Sequence, residues 1–386
     1  MTTNTADPRP TDAGRTSAAS AESSAPSPSD LALIVGATGI GGSAIADQLV
    51  GEGRQVLALA RRPGRVAPGV RWISADLRSP DDLARVLGPE RPTSVYFTAW
   101  SRQETEAKNI EVNGGMVRDL LAALADAPVR HVALVTGLKH YLGPFEAYGQ
   151  GTMPDTPFHE DEDRLDVENF YYAQEDELYA AAARQGFTWS VHRSHTVIGH
   201  AVGNLMNMGL TLAVQGSLCR ALDIPFVFPG SRTQWNGLTD VTDATVLAEQ
   251  MIWASRTAAG ANEAFNVVNG DIFRWRWMWP RLAAYFGVEP VGFDGAPRPL
   301  EVQMACRQDA WTALVAEHGL AEADLQRVAS WWHTDADLGR DIEVVTDMSK
   351  SRLAGFTTHH RTLDSFVGLF DRYRAEKLIP DLSAGH

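Results

Sequence analysis

Lysine is scarce in this chain. Only Lys108, Lys139, Lys350 and Lys377 occur among 34 basic residues, and all the others are arginine. A retained lysine therefore favours a role suited to a compact ammonium with an adjustable pKa rather than to a planar guanidinium. Lys139 closely follows the apolar segment 131–137, and the ends of core strands are where chemistry collects. We expect Lys139 to be functional; the alternative is a solvated loop lysine.

Cysteine and long apolar runs are also lacking. Cys219 and Cys306 lie far apart, which argues against a disulfide framework and favours a reducing, cytoplasmic location. No apolar run reaches the roughly 18 residues expected of a membrane-spanning helix. The net charge of -14 argues against nucleic acid or an anionic membrane surface as a partner and fits an enzyme acting on a small molecule.

Residues 1–30 contain almost no large apolar side chain and consist mainly of Ser, Thr, Ala, Pro and Asp. Such a segment buries too little surface to offset its ordering entropy, so we predict a disordered tail. It also lacks the apolar core of a signal peptide. The remaining chain is long enough for one large domain or two fused ones.

A nucleotide-binding turn is predicted within residues 31–50. Gly36, Gly39 and Gly42 follow an apolar strand and open an amphipathic helix, with Thr38 and Ile40 between them. Glycines there let the backbone approach a pyrophosphate, while the helix amino end supplies N–H donors. The alternative is a tight strand–helix turn that needs small residues only for packing.

Arginine at the end of the second predicted strand, 55–62, indicates which dinucleotide is used. Sites that prefer NAD carry an acid near this position for the ribose 2′-hydroxyl, whereas this chain has Arg61 and Arg62. Two guanidinium groups suit a 2′-phosphate, so we predict NADPH rather than NADH. The alternative is a solvated basic strand end. Asp76 and Leu77 end the third strand, 70–77, where an adenine contact is expected.

Strands and helices alternate at short spacing, which predicts a Rossmann-type, doubly wound parallel sheet (class α/β). Further strands are expected at 94–100, 131–137 and 187–193, and helices from Pro80, over 103–125 and over 170–185. Ligands in such sheets bind outside the carboxyl ends of the strands. The cofactor-binding residues expected at these ends also include Thr98, Trp100, Thr136, Gly137, Lys139, Tyr171, Val197 and Ile198.

Beyond residue 200 the sheet pattern loosens. We divide the chain into a cofactor domain, 31–200, with sheet elements returning near 235–270, and a smaller, mostly helical substrate-binding region, 201–386. Helices are expected over 204–222, from Thr242 and over 274–287. The Trp275–Trp279 cluster is expected to be core packing rather than a binding box.

No metal site is predicted. The acidic run 159–163 carries ligand-type residues, but consecutive loop positions do not converge on one ion, so we expect a solvated loop face. A G-x-S-x-G nucleophile elbow and a Walker lysine motif are both missing.

Lys139 and a tyrosine of the pair Tyr171 and Tyr172 carry the predicted chemistry. A phenol with a pKa near 10 needs a neighbouring cation before it acts as an acid or an electrostatic stabiliser at neutral pH. Short-chain dehydrogenases usually supply that cation from a Tyr-x-x-x-Lys pattern on one helix, but position 175 here is Glu. The lysine must therefore come from another element.

The sequence resembles the progesterone 5β-reductase and iridoid synthase-like enone reductases, a divergent branch of the short-chain dehydrogenases. The matching segments include 36–42, 59–62, 136–149, 157–176, 187–193, 235–240, 264–275 and 347–356. The resemblance places the family's lysine on Lys139 and its tyrosine on Tyr171. It implies 1,4-addition of hydride from NADPH to the activated C=C bond of an enone or enal, with Tyr171 and Lys139 stabilising the enolate oxygen.

A small hydrophobic carbonyl compound is the expected substrate, and the expected state is a monomer or homodimer. Positions expected to line an apolar pocket are Trp100, Phe145, Tyr148, Met206, Trp235 and Phe356. The chain departs from the family at Ser194-His195-Thr196 and over 201–235, so the substrate's identity is not carried over.

Other functions remain open at this point. The same two residues suit a carbonyl (C=O) reductase or alcohol dehydrogenase, because fold and cofactor do not determine which bond is reduced. An epimerase or dehydratase acting on a nucleotide sugar with bound NAD is disfavoured by the arginine pair. A non-catalytic nucleotide-sensing protein is disfavoured because Lys139 and Tyr171 are both retained.

Overall fold

The computed structural model describes residues 30–62, 69–144 and 154–381. Within them the strands are β1 (Leu31–Val35), β2 (Gln55–Ala60), β3 (Val70–Ser74), β4 (Ser94–Phe97), β5 (His131–Gly137), β6 (Thr188–Ser194), β7 (Val197–Ile198), β8 (Phe226–Val227), β9 (Thr242–Asp243), β10 (Glu263–Val267) and β11 (Pro290–Val291).

The helices of the same residues are α1 (Ile40–Gly51), α2 (Pro80–Leu87), α3 (Glu106–Ala123), α4 (Lys139–Leu142), α5 (Phe170–Gln185), α6 (Met208–Leu222), α7 (Arg232–Asn236), α8 (Ala244–Ala254), α9 (Trp275–Phe286), α10 (Leu300–Gln303), α11 (Gln308–His318), α12 (Leu325–Val328), α13 (Trp331–Leu338), α14 (Ser349–Leu353) and α15 (Thr362–Ala375). A 3-10 turn covers Ala258–Gly260.

Seven of the strands form one parallel sheet in the order β10-β6-β5-β4-β1-β2-β3. Strands such as β1 read as continuous apolar runs because helices cover both faces of the sheet. The order reverses between β1 and β4, so a crevice opens at their carboxyl ends, where α/β sheets bind ligands. The predicted Rossmann-type fold is confirmed.

Two apolar cores lie on the two faces of this sheet. Helices α1 and α8 pack on one face with side chains such as Leu49 and Met251. Helices α2, α3 and α5 cover the other face with side chains such as Leu83, Val117 and Leu178. The first core joins an early helix to one from the later part of the chain, and β10 likewise adds a late strand beside β6.

A third core is built by the carboxyl-terminal helices and is rich in aromatic rings. Trp275 and Trp279 are buried there, as expected of core packing. The Trp279 ring stacks on Phe226 at 4.2 Å between centroids, and its indole N–H donates to the Phe226 carbonyl oxygen at 2.9 Å. Trp277 on the same helix points outward and is 40% exposed.

Side-chain caps account for two differences from the predicted helix starts. Helix α3 begins at Glu106 rather than near 103 because the Thr105 side chain accepts from the Lys108 N–H. Helix α8 begins at Ala244 rather than Thr242 because Asp243 caps it, while Thr242 pairs with β7.

Glu160, within the acidic run, is not simply solvated. Its carboxylate accepts from the Asn266 N–H at 2.9 Å, and burial raises its pKa. In the described part of the chain, no group of His, Cys, Asp and Glu is arranged to hold a metal ion. Nor is any helix of that part long and apolar enough to cross a membrane.

Replacing Trp279 by Ala should lower the free energy of unfolding by about 3–5 kcal/mol, because it leaves a cavity in the third core. Trp277→Ala is the matched control on the same helix. Its ring stacks on Arg281 at the surface, so a loss below about 1 kcal/mol is expected. Urea unfolding of both variants measures this. Equal losses would contradict the assignment of Trp279 as the packing residue.

Candidate active site

The glycine turn between β1 and α1 packs so closely on its surroundings that Gly36 and Gly42 leave no room for a Cβ. Gly36 has a φ of +85°, and a Cβ there would lie 2.9 Å from Thr98 Oγ1. A Cβ on Gly42 would lie 2.3 Å from the Gly36 carbonyl oxygen. The turn therefore stays flat against the amino end of α1, where Gly39 is the N-cap. This cradle fits a pyrophosphate.

Two adjoining clefts meet at this turn. We call the first the outer cleft; it runs from the glycine turn past the ends of β2 and β3. Its lining includes Gly36, Thr38, Gly39, Leu59, Ala60, Arg61, Ala75, Asp76, Leu77, Arg78, Thr98, Trp100, Arg102, Met206 and Trp332. The predicted residues of the turn and of the second and third strand ends are thus brought together.

The two arginines of the strand end differ in placement. Arg61 lines the outer cleft, and its backbone oxygen accepts from the Ser74 hydroxyl at 2.9 Å. Arg62 is exposed and is not among the residues lining that cleft. Asp76 lines it, and its carboxylate accepts from Arg78 at 2.7 Å, which lowers the pKa of Asp76 to about 2. Asp76 is therefore ionised at neutral pH.

The inner cleft lies at the carboxyl ends of β4, β5 and β6. Its lining includes Gly39, Ile40, Thr98, Trp100, Thr136, Gly137, Lys139, Tyr171, Ser194, His195, Thr196, Val197, Met206, His333, Asp337 and Arg340. Ile198, next to Val197, is buried beneath this lining. Lys139 and Tyr171, which come from different elements, thus line one cleft beside the glycine turn.

Lys139 is the first residue of α4, and its side chain is only 6% exposed. Its ammonium lies 3.9 Å from Glu106 Oε2 and 4.7 Å from the centre of the Phe170 ring. A buried ammonium needs such compensation to keep its charge. Lys139 is therefore not a solvated loop side chain. Its surroundings stabilise the charged ammonium.

Of the neighbouring tyrosines, only Tyr171 lines the inner cleft. Tyr172 is buried: its hydroxyl donates to the His140 carbonyl oxygen at 2.8 Å and accepts from the Leu165 N–H at 3.0 Å. The Tyr171 hydroxyl faces Gly137, where an added Cβ would lie 3.4 Å from it. The tighter contact of an added Cβ would be with the Ser194 carbonyl oxygen, at 3.0 Å.

Asn169 links the two candidate catalytic residues. Its side-chain oxygen caps α5 by accepting from the Tyr171 N–H at 3.0 Å, and its amide donates to the Lys139 carbonyl oxygen at 2.8 Å. The helix position four residues after Tyr171 is Glu175, which is buried and pairs with Arg164 at 2.7 Å. Glu175 thus occupies the place of the usual lysine without reaching the cleft.

The residues expected to line an apolar pocket divide into three groups. Trp100 and Met206 line both clefts. Trp235 and Phe356 line neither of these clefts: Trp235 packs on Phe228 at 4.9 Å between ring centroids, and Phe356 packs on Trp253 at 5.6 Å. Their assignment to the substrate pocket therefore stays a prediction that these two clefts do not support, because an aromatic in a helical region packs as readily in a core as in a pocket. Phe145 and Tyr148 lie outside the described residues.

Sequence reasoning missed several residues of the clefts, both charged and uncharged, namely Arg78, Arg102, Trp332, His333, Asp337 and Arg340. The region carrying the last four was read only as helices with irregular links. Ser194-His195-Thr196 was a usable signal, since it departs from the family's pattern at the end of β6.

With this geometry in hand, similarity to known proteins decides the family. The model of the PRISE-like Rossmann-fold domain matches residues 74–380. The chain belongs to this family. The 3-oxo-Delta(4,5)-steroid 5-beta-reductase of Arabidopsis thaliana is 38% identical over 363 residues, covering 91% of this chain and 93% of that protein. An (S)-8-oxocitronellyl enol synthase of Nepeta cataria is 37% identical, with the same two coverages.

Solved structures of low sequence identity share the fold. The UDP-glucose 4-epimerase of Thermotoga maritima has a TM-score of 0.64 at 14% identity, covering 89% of this chain and 99% of its own. The corresponding enzyme of Thermus thermophilus, solved with NAD, has a TM-score of 0.60 at 18% identity, with coverages of 89% and 99%. These likenesses confirm the expected extended short-chain dehydrogenase fold, and membership of the family confirms the expected class of oxidoreductase.

Gly42→Ala should weaken binding of NADPH and destabilise the protein by about 1–3 kcal/mol, since its Cβ meets backbone rather than a movable side chain. Gly51→Ala, at the other end of α1, is the control: nothing lies within 4 Å of its added Cβ, and helix propensity predicts unchanged or slightly raised stability. Calorimetric titration and thermal unfolding test both. Normal NADPH affinity in Gly42→Ala would contradict the cradle.

Proposed function

We propose that this protein reduces the activated C=C bond of an enone or enal with NADPH by 1,4-addition of hydride. The observation that carries the proposal is that Tyr171 and Lys139 line one cleft beside the glycine turn although they lie on separate elements. Membership of the PRISE-like family, with relatives named as a steroid 5-beta-reductase and enol synthases, supports it.

NADPH, when bound, supplies the hydride to the β-carbon of the substrate. As negative charge then develops on the carbonyl oxygen, the Tyr171 hydroxyl donates a hydrogen bond to that oxygen. Donors held ready for developing charge are usually the largest catalytic contribution. The Lys139 ammonium stabilises the same negative charge on the carbonyl oxygen. Protonation of the α-carbon then completes the saturated carbonyl product.

The cofactor preference follows from the outer cleft. The Arg61 guanidinium is placed beside the ends of β2 and β3, and in a dinucleotide site that end receives the ribose of adenosine. NAD-preferring sites carry an acidic residue at this strand end, and this chain has none there. We therefore assign the 2′-phosphate contact to Arg61, with Arg62 adding positive charge from the surface.

Tyr171→Phe should lower kcat for enone reduction by about 10²-fold, because one hydrogen-bond donor to the developing charge is lost. Tyr172→Phe is the matched control; it loses a structural hydrogen bond worth about 1 kcal/mol and should keep kcat within a few-fold. NADPH oxidation by cyclic and acyclic enones, with product analysis, measures both. Saturated ketones support the proposal; alcohol products or an unaffected Tyr171→Phe would contradict it.

Arg61→Ala should raise the KM for NADPH by about 10–100-fold and leave that for NADH nearly unchanged, as expected when a charge-assisted contact worth about 1.5–3 kcal/mol is lost. Arg62→Ala should raise the KM for NADPH less, since its side chain lies outside the cleft lining. Steady-state kinetics with the two cofactors test this. Equal effects of Arg61→Ala on both cofactors would refute the assignment.

A further inference from the structure

One side of the inner cleft is charged and polar rather than apolar. We call it the polar wall and define it by His195, Thr196, His333, Asp337 and Arg340, all of which line the cleft that also contains Tyr171 and Lys139. A substrate held in this cleft therefore meets hydrogen-bonding groups as well as apolar side chains such as Met206. A pure hydrocarbon body would offer no partner to the polar atoms that these groups leave unpaired among themselves, which is costly in a buried site.

Arg340 is the centre of the wall. Its Nη1 donates to His195 Nε2 at 2.9 Å, and its Nη2 donates to Thr196 Oγ1 at 3.0 Å and pairs with Asp337. Its side chain is 11% exposed. These three contacts fix the plane of the guanidinium. Because a guanidinium has five N–H donors, two are left over from these contacts with the described residues.

A second layer holds His195 in place. Its Nδ1 lies 2.8 Å from Asp240 Oδ1, and the buried Asp240 accepts from the Thr346 N–H with its other oxygen at 2.7 Å. Since Arg340 donates to Nε2, that nitrogen accepts, and the proton of a neutral His195 resides on Nδ1 and is donated to Asp240. His195 and Asp240 are thus positioning residues for Arg340.

The charges of this assembly exclude a site tuned to anions. Burial raises the pKa of Asp337, but the charge of the Arg340 guanidinium and the hydrogen bond from the Thr196 hydroxyl lower it further, so this carboxylate stays ionised. Burial also lowers the pKa of His333, which is therefore neutral at pH 7. Asp337 pairs directly with Arg340, and Asp240 lies behind His195. A carboxylate on the substrate beside Arg340 would meet a guanidinium whose charge is already paired with Asp337.

Unpaired polar atoms on residues that line the inner cleft point to a ligand. His333 Nδ1 and Thr136 Oγ1 are buried without a hydrogen-bond partner among the residues that the structure describes. Both residues are at least nine-tenths buried and line the inner cleft. Buried polar atoms of native proteins are rarely left unpaired, so bound molecules are their expected partners.

We propose that Arg340 determines specificity by donating to a second, neutral hydrogen-bond acceptor of the substrate, a carbonyl or hydroxyl group distinct from the carbonyl held by Tyr171. This rests on the proposed enone reduction and names its substrate class: enones or enals that carry a further oxygen function. His333 lies beside Arg340 and contributes to the same contact.

The test uses cyclohex-2-enones substituted at carbon 5 with isopropyl, acetyl or carboxylate, three groups of similar shape, attached directly or through two methylenes. The wild-type protein should show a kcat/KM for an acetyl compound about tenfold or more above that for its isopropyl counterpart, with the carboxylate lowest. In Arg340→Met, kcat/KM for the acetyl compound should fall about 10–100-fold and kcat/KM for the isopropyl compound less than about threefold. The Kd for NADPH should be unchanged.

Because Arg340→Met leaves Asp337 without its partner, the double variant Asp337→Asn with Arg340→Gln removes both charges together and should lose the same preference. Equal losses on both substrates, weakened NADPH binding or a preference for the carboxylate would each overturn the assignment. A wild-type protein that reduces isopropyl and acetyl compounds equally refutes only this inference. One that reduces no enone refutes the proposed function, and this inference with it.

Discussion

The geometry of the site depends on the contacts that the carboxylate of Glu106 makes. One of its oxygens accepts from the Phe170 N–H at 2.8 Å, at the start of α5; the other accepts from Asn109 at 2.9 Å and lies 3.9 Å from the Lys139 ammonium. Since the Glu106 side chain is only 10% exposed, water competes little for these contacts. A single side chain of α3 therefore sets the first turn of the tyrosine helix against the lysine.

This arrangement replaces a spacing on one helix by contacts between elements. In a Tyr-x-x-x-Lys helix the pitch alone keeps the two groups together. Here Asn169 and Glu106 join α5 to the end of β5, and the ammonium is buried with its countercharge. Because the lysine is not needed at position 175, a buried glutamate occupies that position and pairs with Arg164.

The cleft combines two parts of the chain with different contributions. The carboxyl ends of the parallel strands supply the glycine turn after β1, Lys139 after β5 and the loop after β6. Helix α13 supplies His333 and Asp337, and Arg340 follows two residues after its end. Lys139 and Tyr171 thus come from helices beside the parallel sheet, and the charged lining comes from the carboxyl-terminal helices.

The sequence by itself predicted the alternation of strands and helices, the glycine turn and the interest of Lys139, because each follows from neighbouring residues: apolar runs, small residues at a turn and a lysine retained in an arginine-rich chain. The choice of Tyr171 over Tyr172 came from the resemblance to the reductase family. Only the tertiary structure decided that Tyr172 is anchored at His140, that Trp235 and Phe356 are packed away from the clefts, and that Glu106 faces Lys139. The contact of Arg340 with His195 joins positions 145 residues apart, and no local pattern encodes such a pairing. Periodicity in the sequence indicates which face of a helix or strand is buried. Packing of the folded chain decides which distant side chains contact that face.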